Sequence, residues 1–368
     1  MTWILVVGLL LAFANGANDN LKGVASLLGS RRTSYRRAVA WATLTTMAGS
    51  LAALLLAGEL IGRFQGKGLV PPELIADPNF LGAVALAASL TVLLATRVGL
   101  PISTTHALVG ALVGAGLAAV GSVRVDVLAG KVLAPLLVSP LLALVITAGL
   151  YRILRRLRAR LRVEEQTCFC VGTQTIEVLP VMAAPMASIR SQELSLQLGT
   201  DVECSSAYNG RVLGLSAGPT LDTLHFLSGG ALGFARGLND TPKIAALLLV
   251  APAISTGAAL VGVGTLMALG GLLAARRVAH TMSFEITSMN AGQAFTANFV
   301  SMVLVLVASP LGLPVSTTHV TCGSLFGLGL SSGDAKRATM LKILMAWVVT
   351  LPLAGVLAFA AFRALQAW

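Results

Sequence analysis

The 368-residue sequence is poor in charged, aromatic and sulfhydryl side chains. Charged residues make up 11% of the chain and aromatic residues 5%, whereas hydrophobic residues make up 56% and the mean hydropathy is +0.84. So little charge cannot cover a water-exposed surface, which excludes a soluble globular protein and indicates a membrane protein. The four cysteines lack the two-pair spacing of a zinc site, so we expect free thiols and no metal or other cofactor.

Apolar segments long enough to cross a bilayer occur throughout the chain. A span needs about 20 apolar residues for a hydrocarbon layer of roughly 30 Å. Such segments cover residues 2–29, 36–61, 80–98, 101–120, 127–150, 221–250, 252–275, 283–309, 314–331 and 339–365. We therefore predict an all-α polytopic membrane protein with a first transmembrane repeat over 1–150, a connector over 151–220 and a second repeat over 221–368. An odd number of crossings in each half inverts the topology of the second half.

The positive charges support this topology. The net charge is +11, but the basic residues form short clusters between spans and are not interleaved with aromatic residues, which argues against a nucleic-acid partner. With both termini outside, the loops predicted to be cytoplasmic carry Arg31, Arg32, Arg36, Arg37, the run from Arg152 to Arg162, Arg276, Arg277, Lys336 and Arg337. The outer side carries only Arg63, Lys67, Arg124 and the terminal Arg363. The positive-inside rule thus predicts a multi-pass protein of the cell's inner membrane with a cytoplasmic connector.

Two polar motifs each occur twice, about 215 residues apart, inside this apolar sequence. The first is Phe13-Ala14-Asn15-Gly16-Ala17-Asn18-Asp19 with Lys22, which returns as Phe234-Ala235-Arg236-Gly237-Leu238-Asn239-Asp240 with Lys243. Ionisable residues inside a membrane need partners or a function, and Asp and Lys three residues apart can pair on one helix face. Two structural ion pairs are one interpretation. The neighbouring glycines, which we expect to break each helix, favour a functional site instead.

The second motif is a proline turn followed by hydroxyl side chains. Gly99-Leu100-Pro101-Ile102-Ser103-Thr104-Thr105-His106 returns as Gly312-Leu313-Pro314-Val315-Ser316-Thr317-Thr318-His319. Capping hydroxyls, free amides and the positive end of a helix dipole together form an anion receptor. Two such helix ends facing one another could bind a tetrahedral oxyanion. For His106 and His319, proton transfer and a structural role both remain open.

The second half also holds polar residues that the first half lacks. The segment from Glu285 to Phe299 carries Asn290 and Gln293 on one helix face, whereas the matching stretch of the first half is nearly all Ala, Leu and Val. We predict a substrate contact for Gln293. Hydrogen bonding between helices is the alternative.

These motifs resemble those of the inorganic phosphate transporter family. The resemblance covers both halves and implies an inverted repeat, a site at the repeat interface and phosphate uptake coupled to a cation. It points to substrate binding by Asn18, Asp19, Asn239, Asp240 and the two Ser-Thr-Thr runs, Ser103, Thr104, Thr105, Ser316, Thr317 and Thr318.

One departure from the family pattern concerns the coupling ion. The family continues Asn-Asp-x-Ala-Asn, but this sequence has Lys22 and Lys243 at the last position. An ammonium group there could replace a sodium ion electrostatically without being able to leave. Proton coupling, by titration of Asp19, Asp240 or the two lysines, is therefore an alternative to sodium coupling.

Other substrates and other classes of function are alternatives to phosphate transport. Sulfate or another tetrahedral oxyanion is the alternative substrate, because geometry alone does not separate it from phosphate. An intramembrane enzyme would need a metal cluster or an activated nucleophile, and the sequence holds neither pattern. An anion channel would need the two hairpins to line a continuous pore. A homodimer is left open.

Overall fold

The computed structural model describes residues 2–56, 68–164, 166–178, 189–200, 213–250, 254–309, 311 and 315–367. Arg63 and Lys67 of the predicted outer loop, and Gly312, Leu313 and Pro314 of the second hairpin motif, lie outside these residues. The chain divides into a larger unit, Met1–Tyr151 with His225–Trp368, and a smaller unit, Arg152–Leu224.

Helices make up nearly all of the larger unit. In the described residues they are α1 Thr2–Asp19, α2 Ala25–Gly29, α3 Tyr35–Leu56, α4 Pro78–Arg97, α5 Thr104–Val120, α6 Ala134–Leu161, α7 Ala217–Leu248, α8 Thr256–Ala274, α9 Arg276–His280, α10 Ala291–Ala308, α11 Thr317–Ser332 and α12 Arg337–Gln366. Short helical turns cover Pro72–Ile75 and Val125–Val127, a 3-10 turn covers Lys22–Val24, and π-helical turns cover Leu128–Leu133 and Thr281–Glu285. Helices α6 and α7 each continue into the smaller unit.

Each of the ten predicted spans contains one of these helices, which confirms an all-α polytopic membrane fold. Among the described residues, seven helical stretches are long and apolar enough to cross a bilayer. Two predicted spans are shorter than expected, because α5 has 17 residues and α11 has 16. Helix α10 starts at Ala291, where Asn290 and Gln293 form a capping box, and not at the predicted residue 283. The inverted topology and the sidedness of the termini stay predictions.

The first helix of the first half is broken as predicted, but not at Gly16, and the predicted break at Gly237 in the second half is wrong. Gly16 lies within α1, which ends three residues later at Asp19 and continues through a 3-10 turn into α2. In the second half, α7 is helical throughout from Ala217 to Leu248, with Pro242 inside it. The glycines have a different role, because they permit close helix crossings.

Four glycines lie where two helix pairs cross. A Cβ atom on Gly16 of α1 would overlap the backbone oxygen of Met267 in α8, and one on Gly270 of α8 would overlap that of Phe13. The equivalent contacts of the other half join α7 to α3, through Gly237 on Thr46 and Gly49 on Phe234. The first helix of each half therefore packs on the second helix of the other half.

The hairpin helices exchange partners in the same way. Gly110 and Gly114 bring α5 against α12, and Gly323 and Gly327 bring α11 against α6. The fifth helix of each half thus supports the hairpin helix that belongs to the other half.

We predict that Gly237→Ala destabilises the protein. The added methyl group would meet the Thr46 carbonyl oxygen and the Ser50 amide, which are backbone atoms that cannot turn away. Overpacking of this kind typically costs about 1–3 kcal/mol. The melting temperature of the detergent-solubilised protein measures the effect. Gly149→Ala is the matched control, since a Cβ at Gly149 on α6 meets nothing within 4 Å. Equal melting temperatures for the two variants would contradict the crossing argument.

The smaller unit contains a sheet that the sequence analysis did not predict. Strands β1 Thr167–Val178, β2 Ile189–Thr200 and β3 Leu213–Ser216 pair antiparallel in the order β2-β1-β3. Thr167 pairs with Thr200, and Cys168 pairs with Ser216 on the other side. The alternation of Leu194, Ser195, Leu196, Gln197 and Leu198 has the period of a strand and could have revealed β2.

Candidate functional site

The two duplicated motifs meet in one buried cluster of polar side chains. Asp19 and Lys22 come from the end of α1 and the 3-10 turn, and Asp240 and Lys243 come from α7. These four residues are at most 4% exposed, and the Ser-Thr-Thr residues at the starts of α5 and α11 are also buried. The structure therefore brings together the predicted aspartates, lysines and hydroxyls. We call this group the central cluster.

The ammonium group of Lys22 lies among oxygen atoms from three parts of the chain. It forms an ion pair with Asp19 and donates to Asn18 Oδ1 at 3.0 Å. It also donates to the Ile102 carbonyl at 3.0 Å and to Thr318 Oγ1 at 2.5 Å. Because Ile102 precedes α5 and Thr318 belongs to α11, this one ammonium group joins both hairpin motifs.

Lys243 makes the corresponding contacts from the second half. Its Nζ atom lies 3.3 Å from Asp240 Oδ1 and donates to the Val315 carbonyl at 2.9 Å. It also donates to Thr105 Oγ1, at 3.2 Å. Thr105 belongs to α5, so each lysine reaches a hydroxyl group of the hairpin helix from the other half. The contacts between the lysines and the hairpin helices are therefore reciprocal between the two halves.

The serines of the hairpin motifs cap their helices, as predicted. Ser103 Oγ accepts from the His106 amide at 3.1 Å, and Ser316 Oγ accepts from the His319 amide at 3.2 Å. A helix start leaves several amides without partners inside the helix, and its dipole is positive there. The rings of His106 and His319 lie edge to face, 4.3 Å apart between centroids, so the first turns of α5 and α11 are neighbours.

The threonine that follows each capping serine contacts the acidic residue or amide of its own half. Thr104 Oγ1 accepts from Asn15 Nδ2 at 3.0 Å. Thr317 Oγ1 lies 3.5 Å from Asp240 Oδ2, at the long limit of a hydrogen bond. These two hydroxyls do not contact the lysines, unlike those of Thr105 and Thr318.

The two predicted asparagines tie the hairpin motifs to the first helix of each half. Asn18 Nδ2 donates to Thr96 Oγ1 at 2.9 Å and to the Leu100 carbonyl at 3.1 Å, while its Oδ1 atom accepts from the Ile102 amide. Asn239 Nδ2 donates to the Val315 carbonyl at 3.3 Å. Its Oδ1 atom is buried without a hydrogen-bond partner among the described residues.

Arg236 belongs to the central cluster although the sequence analysis did not assign it a role. It is 1% exposed, lies 3.7 Å from Asp240 by its Nε atom, and donates through Nη2 to Asn15 Oδ1 at 2.6 Å. Its Nη1 atom donates to Asn20 Oδ1 and Thr46 Oγ1. The signal was available, because Arg236 occupies the position of Asn15 in the second copy of the motif and an arginine at membrane depth is rarely neutral to function.

The charges of the ionisable side chains in the central cluster do not cancel. Asp19 and Asp240 face Lys22, Lys243 and Arg236, so the five groups carry one net positive charge when all are ionised. In a low-dielectric surrounding, an uncompensated charge attracts a counter-ion strongly. The cluster is therefore electrostatically suited to an anion.

The hydrogen bonds of Gln293 go to residues outside the central cluster. Its Oε1 atom accepts from the Asn290 amide at 2.8 Å in the capping box of α10, and its Nε2 atom donates to the Tyr151 hydroxyl at 3.1 Å. These contacts match the alternative of hydrogen bonding between helices. The predicted substrate contact finds no support in this arrangement.

Comparisons with known proteins relate this chain to phosphate transporters. A model of a family described as the phosphate transporter family matches residues 15–358. A Pyrococcus horikoshii protein named as a phosphate permease is 29% identical over 401 aligned residues, covering 99% of this chain and 98% of its own length. A Rhizobium meliloti protein named as a low-affinity inorganic phosphate transporter is 28% identical, covering 96% of this chain and 93% of its own.

A solved structure shares the fold. It is described as the sodium-dependent phosphate transporter, and it matches with a TM-score of 0.71 and 21% identity over 100% of both chains. The match spans the whole chain, so both halves of this chain have counterparts in that fold.

Proposed function

Because this chain belongs to the phosphate transporter family, we propose that it carries inorganic phosphate across the membrane by alternating access, with the central cluster as the binding site. Membership of this family makes the protein a transporter and not an enzyme.

The observation that carries the proposal is the meeting of two helix starts beside a net positive charge. Ser103 and Ser316 cap α5 and α11, and Thr104 and Thr317 follow them in the first turns. Peptide amides and hydroxyls at a helix start replace the hydration shell of an anion without needing a free basic side chain. The surplus positive charge of Lys22, Lys243 and Arg236 over the two aspartates adds attraction at the same place.

The two sides of the central cluster differ, as a single state of an alternating-access cycle requires. On the Lys22 side, the buried surroundings are polar and include Ser26, Asn298, Ser301 and Thr321. On the other side, the repeat positions of Ser26 and Thr321 are Leu247 and Leu108, both in the apolar core. The polar residues therefore favour a substrate path on the side of α2 and α10, which the topology prediction places towards the cytoplasm, over one through the apolar core on the opposite side.

Membership of the phosphate transporter family favours phosphate over sulfate as the substrate, whereas the two aspartates do not distinguish them. Carboxylates would favour phosphate, which can donate a proton where sulfate cannot, if they faced the anion freely. Asp19 and Asp240 instead face Lys22 and Lys243, so this preference is weakened. Sulfate transport therefore stays the second candidate.

Uptake of radiolabelled phosphate into proteoliposomes tests the proposal. We expect accumulation above the external concentration when a cation gradient is imposed, with unlabelled phosphate competing far better than sulfate. Proton and sodium gradients are imposed separately, since the solved relative is described as sodium-dependent. Flux that only equilibrates phosphate would indicate a channel, and stronger competition by sulfate would favour the alternative substrate.

A further inference from the structure

We propose that Lys22 and Lys243 are resident cations, which fill two oxygen-lined sites that would otherwise hold dissociable monovalent cations, so that phosphate transport does not require sodium. The inference rests on the proposed function and specifies its coupling. It follows from the surroundings of the two Nζ atoms.

The oxygen atoms around Lys22 are those of an alkali-cation site. One carboxylate, one side-chain amide, one backbone carbonyl and one hydroxyl contribute, from Asp19, Asn18, Ile102 and Thr318. In transporters, broken helices and exposed carbonyls next to a substrate site are where such cations bind. Here the carbonyl of Ile102 lies just before α5, and the carboxylate lies at the end of α1.

The second site repeats the same chemistry. The Nζ atom of Lys243 has a carboxylate from Asp240, the backbone carbonyl of Val315 and the hydroxyl of Thr105. Ile102 and Val315 occupy equivalent positions in the two hairpin motifs, as do Thr318 and Thr105. Two sites that share a carboxylate, a backbone carbonyl and a hydroxyl in the same repeat positions are difficult to attribute to chance packing of long side chains.

A tethered cation has a different consequence from a bound one. An ammonium group supplies the positive charge that attracts the anion and neutralises Asp19 and Asp240. It cannot be released to the other side of the membrane, so it cannot draw energy from a sodium gradient. Sodium has no vacant place in these two sites while the lysines occupy them, and any driving ion must act elsewhere or by protons.

The test removes both ammonium groups. Lys22→Asn with Lys243→Asn leaves the carboxylates, carbonyls and hydroxyls in place and vacates the space of each Nζ atom. For the unmodified protein, we expect equal phosphate uptake in sodium chloride and in choline chloride. For the double variant, we expect weak uptake in choline and a stimulation of about 10-fold by sodium, equivalent to about 1.4 kcal/mol of added stabilisation. The control is Lys342→Asn, an exposed lysine on α12, which should behave like the unmodified protein.

A second measurement separates this inference from the proposed function. Sodium should raise the melting temperature of the purified double variant but not that of the unmodified protein. If the unmodified protein transports phosphate and sodium stimulates it, the inference fails and the proposed function stands. If it transports no phosphate with any ion, the proposed function fails, and the melting temperatures still decide whether sodium enters the vacated sites. If the double variant does not fold, binding of radiolabelled sodium to the unmodified protein tests the inference instead. Saturable sodium binding that is lost in Asp19→Asn or Asp240→Asn would overturn the inference.

Discussion

Arg236→Gln should reduce phosphate uptake at least about 100-fold. Removing one partner of a buried charged network typically costs about 3–5 kcal/mol, and each 1.4 kcal/mol corresponds to a factor of ten. Arg236 lies 3.7 Å from Asp240 and donates hydrogen bonds to Asn15, Asn20 and Thr46. Its loss leaves three buried acceptors without their donor and removes the net positive charge of the central cluster.

The position of Arg236 explains why the effect should exceed that of a surface arginine. Asn15 and Asn20 are on the α1 side of the cluster, Thr46 is on α3, and Arg236 itself is on α7. The guanidinium group therefore joins helices from both halves as well as supplying charge. Arg236→Lys keeps the charge but not the fork of donors, so we expect an intermediate uptake rate.

Initial uptake rates in proteoliposomes, with melting temperatures of the same preparations, measure this prediction. The matched control is Arg37→Gln, an exposed arginine on α3, for which uptake should stay unchanged. A folded Arg236→Gln protein with uptake near that of the control would show that the net charge of the cluster is not needed for phosphate transport. If the melting temperature of Arg236→Gln is much lower than that of the unmodified protein, Arg236→Lys, which keeps the charge, becomes the variant that tests the prediction.

The sequence alone predicts which residues meet because the pattern is duplicated. Asp19 with Lys22 and Asp240 with Lys243 sit three residues apart, and the structure confirms both ion pairs. Pro101 followed by Ser103 predicts a helix start, and the Ser103 cap confirms it. These features depend on local spacing and on the cost of burying polar groups, which a sequence records directly.

The roles of residues at helix crossings could not be predicted from local sequence patterns, because these roles depend on neighbours far away in the chain. Gly16 suggested a broken helix, but what decides its role is the Met267 carbonyl of α8, about 250 residues away in the chain. Gln293 suggested a site residue because its segment is polar, whereas its partners are the amide of Asn290 and the hydroxyl of Tyr151. In both cases the same residue type suits either role, and only the tertiary neighbour distinguishes them.

Thr104→Val with Thr317→Val should raise the phosphate concentration needed for half-maximal uptake by at least about 100-fold. Valine keeps the shape of threonine and removes only the hydroxyl. A hydrogen bond to a charged partner contributes about 1.5–3 kcal/mol, so the loss of two gives an effect of this size. Thr104 and Thr317 are the informative pair, because Thr105 and Thr318 bind the lysines and the serines hold the helix caps.

Uptake rates at increasing phosphate concentration separate binding from folding in this variant. Thr91→Val is the matched control, since the Thr91 hydroxyl is buried but donates to the Ala87 carbonyl of its own helix, α4. Thr104→Ser with Thr317→Ser should restore much of the affinity, because the hydroxyl returns without the methyl group. An unchanged half-maximal concentration in the valine pair would place the anion away from the starts of α5 and α11. The surplus charge of the cluster would then need another explanation, because a positive site between two helix starts is stabilised by the anion that it binds.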